Sequence, residues 1–83
     1  MTVSGGRARV VLLTRAGCHL CEEARTVVVD VCRQRGVTFT EKDVDTDAHL
    51  HDRYTDLVPV VLVDDVEHAR YRVDERALAR ALG

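Results

Sequence analysis

The stretch Arg7 to Thr14, R-A-R-V-V-L-L-T, begins by alternating and ends continuously apolar. A strand of that pattern is buried on both faces, so it belongs inside a sheet and not at its rim. Ala16-Gly17 breaks the run. From Cys18 onward the apolar residues Leu20, Ala24, Val27, Val28, Val31 and Cys32 recur by threes and fours, which is a helical stripe. Arg33 and Arg35 suit the C-terminus of that helix, and Gly36 suits its end. The valines at 27, 28 and 29 are poor helix formers, so periodicity and packing have to override local propensity there.

Val37 to Val44 alternates apolar and polar residues and reads as a second strand. The crossover from the first is long enough to make the pair parallel, which gives a right-handed βαβ unit. Asp45 or Thr46 can cap a short helix running to about Tyr54, with Leu50 and Tyr54 on one face. Val58 to Val63 is a third strand, with Pro59 confined to its head because proline cannot donate to a ladder. Asp64-Asp65 forms a turn, and Glu67 to Arg72 returns as a fourth strand. Asp74 then caps a terminal helix that turns Ala77, Leu78, Ala81 and Leu82 inward, with Val73 and Leu78 placed as a hydrophobic staple. The order is β-α-β-α-β-β-α, an α/β fold, and residues 1–83 form a single domain with no repeat or linker.

Charge and composition remove several function classes. A net charge of -2 gives no electrostatic case for nucleic acid or for anionic lipid. The longest apolar runs are too short to cross a bilayer, and Met1 to Val10 lacks the apolar core of a signal peptide, so the expectation is a cytoplasmic protein without a membrane partner. Three cysteines in such a compartment do not make a disulfide framework.

Two of them, Cys18 and Cys21, sit three residues apart at the junction of a strand and a helix, which points to redox chemistry. One helical turn places the two sulfurs on neighbouring positions, so a mixed disulfide on the first can be attacked by the second. Cys18 lies where unsatisfied N–H groups and the helix dipole favour negative charge, and is assigned as nucleophile; Cys21, one turn in, is the resolving thiol. A lone C-x-x-C is otherwise half of a zinc site, yet no second C-x-x-C follows, and His49 and His51 lack the usual spacing. No metal ligand is therefore assigned. Cys32, about three turns beyond Cys21, is too far to bridge and reads as a small buried hydrophobe. His19 between the cysteines can stabilise the thiolate or be a plain exposed histidine; Arg15 can hold an anionic thiol substrate or be simply solvated. The run Asp43, Asp45, Asp47 lacks the glycine and glutamate of a calcium loop and reads as a strand end and a helix cap.

The residues T-R-A-G-C-H-L-C-E-E-A, with V-P-V-V-L-V-D-D about forty residues on, resemble the glutaredoxin-like family of the thioredoxin superfamily over nearly the whole chain. The resemblance implies a four-stranded mixed sheet with three flanking helices, a catalytic pair at Cys18 and Cys21, and a cis-proline at Pro59 opposite it. It implies also that Val58 offers backbone groups to a bound peptide or tripeptide thiol. Typical dithiol glutaredoxins resemble C-P-Y-C where this chain has Cys18-His19-Leu20-Cys21, and carry a G-G-x-D segment that grips glutathione where it has Tyr71-Arg72-Val73-Asp74. Only Asp74 is retained from that segment. The activity implied is reduction of protein or mixed disulfides by a monomer without a resident cofactor. Its electron donor would be glutathione, another low-molecular-weight thiol or a flavoprotein reductase. The alternatives are a metal or iron–sulfur binding module on the same fold, or a non-catalytic adaptor.

Overall fold

The computed structural model describes residues 8–83. Its elements are β1 (Val10–Thr14), α1 (His19–Arg35), β2 (Phe39–Asp43), a single 3₁₀ turn (Val44–Thr46), α2 (Ala48–Tyr54), β3 (Val60–Val63), β4 (Val66–Arg70) and α3 (Glu75–Leu82). They assemble into one four-stranded sheet in the order β2-β1-β3-β4. β1 runs parallel to β2 and antiparallel to β3, and β3 runs antiparallel to β4, so the sheet is mixed. The fold is α/β, with the expected three helices and four strands.

The period of two along a strand divides the core between the two faces of the sheet. Val10 and Leu12 of β1 and Val61 and Val63 of β3 pack with Ala24, Val28, Val31 and Cys32 of α1 and with Leu78 and Leu82 of α3. Leu13 and Val60 instead join Val44, Tyr54, Val58 and Cys21, with Cys18 and Leu50 packed against them. Full burial of a leucine such as Leu12 or Leu13 is worth about 1.5–3 kcal/mol, so the β1 run is a main source of the fold's cohesion. Thr14, the buried polar residue at the end of β1, donates to Glu41 of β2 at 3.0 Å. Arg25 of α1 grips the same carboxylate with two bonds of 2.6 Å, and these contacts hold the Glu41 carboxyl below its ordinary range.

Several boundaries differ from the sequence-based expectation. β1 begins at Val10; Arg9 just before it accepts the Asp64 N–H on its carbonyl at 2.8 Å and forks its guanidinium onto the Asp64 carboxylate with two 3.0 Å bonds, and Arg7 lies outside the described residues. β2 is shorter than Val37 to Val44 at both ends. Val37 closes α1 by donating to the Cys32 carbonyl, while Gly36 takes the left-handed conformation at φ 66°. Val44 opens the 3₁₀ turn, which Asp43 caps by accepting from Asp45 N–H at 2.8 Å. The cap of α2 is consequently Asp47, accepting from Leu50 N–H, rather than Asp45 or Thr46. Asp64 and Asp65 both have positive φ, as a two-residue hairpin of the primed type requires. That short turn lets Val66 pair with Val63, so β4 starts one residue early. It also ends early, because Tyr71 has φ 69°. Val73 and Leu78 do meet in one cluster, but Ala81 is exposed and Ala79 packs on the core in its place.

Candidate active site

β1 delivers the chain to a loop, Arg15 to Gly17, whose last residue has φ 74°. A side chain at Gly17 would meet open space, so the backbone angle, not crowding, is what calls for glycine. The next residue, Cys18, is extended (φ -101°, ψ 109°) and serves as the N-cap of α1. Its Sγ accepts the Cys21 N–H at 3.1 Å, and its carbonyl accepts the Glu22 N–H at 3.3 Å. Cys18 and Cys21 are joined as a disulfide with their Cα atoms 5.2 Å apart, within the usual reach. Cys18 is half-buried and Cys21 is 1 % exposed, so an incoming sulfur meets Cys18 first.

The segment before β3 closes the other side. The Val58–Pro59 peptide bond is cis, as the resemblance implied, and Pro59 is fully buried. The Pro59 carbonyl accepts the Tyr71 N–H at 2.7 Å, which ties this segment to the end of β4. Val58 lies in the same apolar cluster as Cys21, with Cys18 packed against it. The structure therefore gathers Cys18, Cys21, Val58 and Pro59 at one end of the sheet, with His19 exposed at the first residue of α1.

Arg15 is engaged within the chain. One of its terminal nitrogens donates to both the Thr55 carbonyl and the Thr55 hydroxyl, at 3.0 and 3.1 Å, and its Nε lies 3.9 Å from Asp45. Asp74 is likewise occupied, as the N-cap of α3. Its Oδ1 accepts from Arg76 N–H at 2.8 Å and Ala77 N–H at 3.2 Å, and these donors, that of Ala77 foremost, hold its carboxyl below the ordinary range.

Two features had no advance signal. A groove of about 160 Å³ opens between Leu20, Glu23 and Val27 of α1 and the Tyr71–Val73 connection. Its Tyr71 wall is a γ-turn of the rare positive-φ hand, in which Arg72 N–H donates to the Arg70 carbonyl at 2.8 Å. Such a backbone costs about 1–3 kcal/mol for a bulky residue. The second is Thr55, whose role as the partner of Arg15 depends on a separation of forty positions. Cys32 is 2 % exposed inside the main core, and burial pushes its thiol up, away from the reactive thiolate form. Among the described residues, no three His, Cys, Asp or Glu side chains come together as a metal-holding group, and no helix is long and apolar enough to cross a membrane.

Comparison with known proteins gives a consistent set of likenesses. Residues 9–83 match the family model described as a glutaredoxin-like domain (DUF836). An uncharacterized protein of Mycobacterium tuberculosis is 36% identical over 77 residues, covering 87% of this chain and 79% of its own length. The solution structure of protein Ne2328 from Nitrosomonas europaea superposes with a TM-score of 0.76 at 28% identity, over 100% of both chains. A mutant thioredoxin from Halobacterium salinarum does so with a TM-score of 0.62 at 26% identity, over 90% of this chain and 73% of that one.

Proposed function

The chain belongs to the glutaredoxin-like domain family, and from that membership we propose that it is a thiol–disulfide oxidoreductase that reduces protein or mixed disulfides through Cys18 and Cys21. The observation that carries the reading is the sulfur at a helix cap: Cys18 Sγ already accepts a backbone N–H of α1, and it is the more exposed of a pair at disulfide distance. In the reduced protein that donor and the helix dipole favour the Cys18 thiolate.

The chemistry balances as two exchanges. The Cys18 thiolate attacks one sulfur of the substrate disulfide; that S–S bond breaks, a Cys18–substrate disulfide forms, and the departing thiolate takes a proton. Cys21, deprotonated, then attacks the Cys18 sulfur, forms the Cys18–Cys21 bond and releases the second substrate thiolate. Two electrons pass from the dithiol to the substrate. A low-molecular-weight thiol such as glutathione, or a flavoprotein reductase, returns them. The cytoplasm is the compartment that suits this cycle. Val58 supplies backbone groups to the substrate chain beside the sulfur, and a cationic His19 would add to the field that favours the thiolate.

The test is the asymmetry between the cysteines. Cys18→Ser should reduce no disulfide, whereas Cys21→Ser should accumulate a mixed disulfide with substrate that is visible by mass. Equal activity of Cys18→Ser and the wild type would end the reading.

A further inference from the structure

Arg15 joins three segments that the sequence keeps far apart. It stands in the loop that presents Cys18; its guanidinium bonds Thr55 at the C-terminus of α2, and its Nε lies 3.9 Å from Asp45 in the turn after β2. Asp45 in turn faces His51 of α2, with Oδ1 3.6 Å from His51 Nε2. The Thr55 carbonyl is one of the helix-end acceptors that lack an intrahelical partner, so the arginine answers a need of α2 itself. Thr55 lies only three residues before Val58, and Leu57 N–H is held on the Tyr54 carbonyl at 2.8 Å. A short, internally bonded stretch thus leads from the guanidinium to the Val58–Pro59 bond.

We propose that Arg15 is a positioning residue: it holds the Thr55–Pro59 segment against the loop that carries Cys18, and so sets where a disulfide substrate lies relative to the Cys18 sulfur. The proposal rests on the oxidoreductase reading for its consequence, though not for the clamp itself. The geometry needs a fork, because Thr55 and Asp45 are reached by different nitrogens of one planar group. A lysine ammonium carries all its donors on one atom and has no second nitrogen held in a fixed plane, so it does not reproduce the Nη1 and Nε placement. The ion pair with Asp45 is half-exposed and long, so it contributes little stability on its own. The effect of the clamp lies in placement, where a displacement of about 1 Å can cost on the order of a hundredfold in rate.

The experiment compares Arg15→Lys, Arg15→Ala and Thr55→Val in the full chain, with two readouts. The first is kcat/KM for a near-neutral protein disulfide and for glutathione disulfide, a small substrate rich in carboxylates. Both arginine variants should lose roughly tenfold or more on both substrates, with the Cys18 thiol pKa unchanged. Thr55→Val, which keeps the carbonyl acceptor, should lose less. The second is amide hydrogen exchange at Thr55 and Leu57, which should quicken in both arginine variants while Leu12 in β1 stays protected. Full activity in Arg15→Lys, or a loss in Arg15→Ala confined to glutathione disulfide, would overturn the clamp and make Arg15 a counter-ion for substrate. If the wild type itself reduces neither substrate, the oxidoreductase reading fails and the exchange readout alone decides the clamp, unchanged exchange at Thr55 and Leu57 overturning it.

Discussion

Two helices of this protein start in nearly the same way and are capped by different atoms. Cys18 before α1 has φ -101° and ψ 109°; Asp74 before α3 has φ -86° and ψ 120°. Each side chain accepts the N–H three residues on, at 3.1 Å from Cys21 and 3.2 Å from Ala77. The carboxylate takes a second bond from Arg76 and is held below its usual range by these donors. The sulfur makes the one side-chain bond, is a weaker acceptor, and sits half-buried against the Leu13 and Val58 cluster. One geometry therefore serves two kinds of group: at α3 it fixes a helix through a carboxylate, and at α1 it sets a cysteine sulfur on a helix-start N–H.

Substitution separates the two caps most clearly. Cys18→Ser keeps a good capping residue at α1, so the fold should survive with a thermal midpoint near that of the reduced wild type while disulfide exchange falls to background. Asp74→Ala should do the reverse, lowering the midpoint by roughly 5 °C and leaving exchange in place, with Asp74→Asn close to wild type. Loss of exchange in Asp74→Ala at a temperature where it is fully folded would mean that the two caps do not have separate roles.

Acid should sharpen the same contrast. Asp74 and Glu41 both have folded-state pKa values lowered, Asp74 by helix donors and Glu41 first by Arg25. The folded state then binds fewer protons than the unfolded one, so stability rises with pH. Their contribution is complete above the unfolded carboxylate range, about 3.9–4.3, and is lost as pH falls through the lowered folded values. Glu41→Gln should shift the acid unfolding midpoint to higher pH, and Asp74→Asn should flatten the acid limb; chemical denaturation from pH 2 to 6 measures both. Smallest of all, Cys32→Ala should leave exchange intact and cost about 1 kcal/mol through a small cavity in the main core. A Cys32→Ala protein as inactive as Cys18→Ser would contradict a two-cysteine mechanism.

The fold was legible wherever hydrophobic period and turn chemistry agreed. The β1 run, the α1 stripe with Gly36 at its end and the Asp64–Asp65 turn each follow hydrophobic period or turn chemistry, and in α1 these prevailed over the poor helix propensity of Val27, Val28 and Val29. The cysteine pair was legible for the same reason, since strand, break and helix place it at a cap. Boundaries were harder where two caps compete: Asp43, Asp45 and Asp47 all suit a helix start, and only the 3₁₀ turn decides that Asp43 and Asp47 are used. The inward face of α3 depended on its docking angle, which alternation of Ala77, Leu78, Ala79 and Ala81 does not fix. Two parts of the site left no trace in the chain's pattern. The Arg15–Thr55 contact is made by tertiary approach across forty positions, and positive φ at Tyr71 goes against the preference of a bulky residue.

Activation of Cys18 by the α1 cap is read out by thiolate absorbance of the reduced protein against pH. Cys18 should titrate below the unperturbed value of about 8.5, with His19→Ala raising it modestly and leaving exchange active. A Cys18 pKa at or above about 8.5 in the wild type would contradict activation by the helix start and leave a thioredoxin-fold adaptor as the better account.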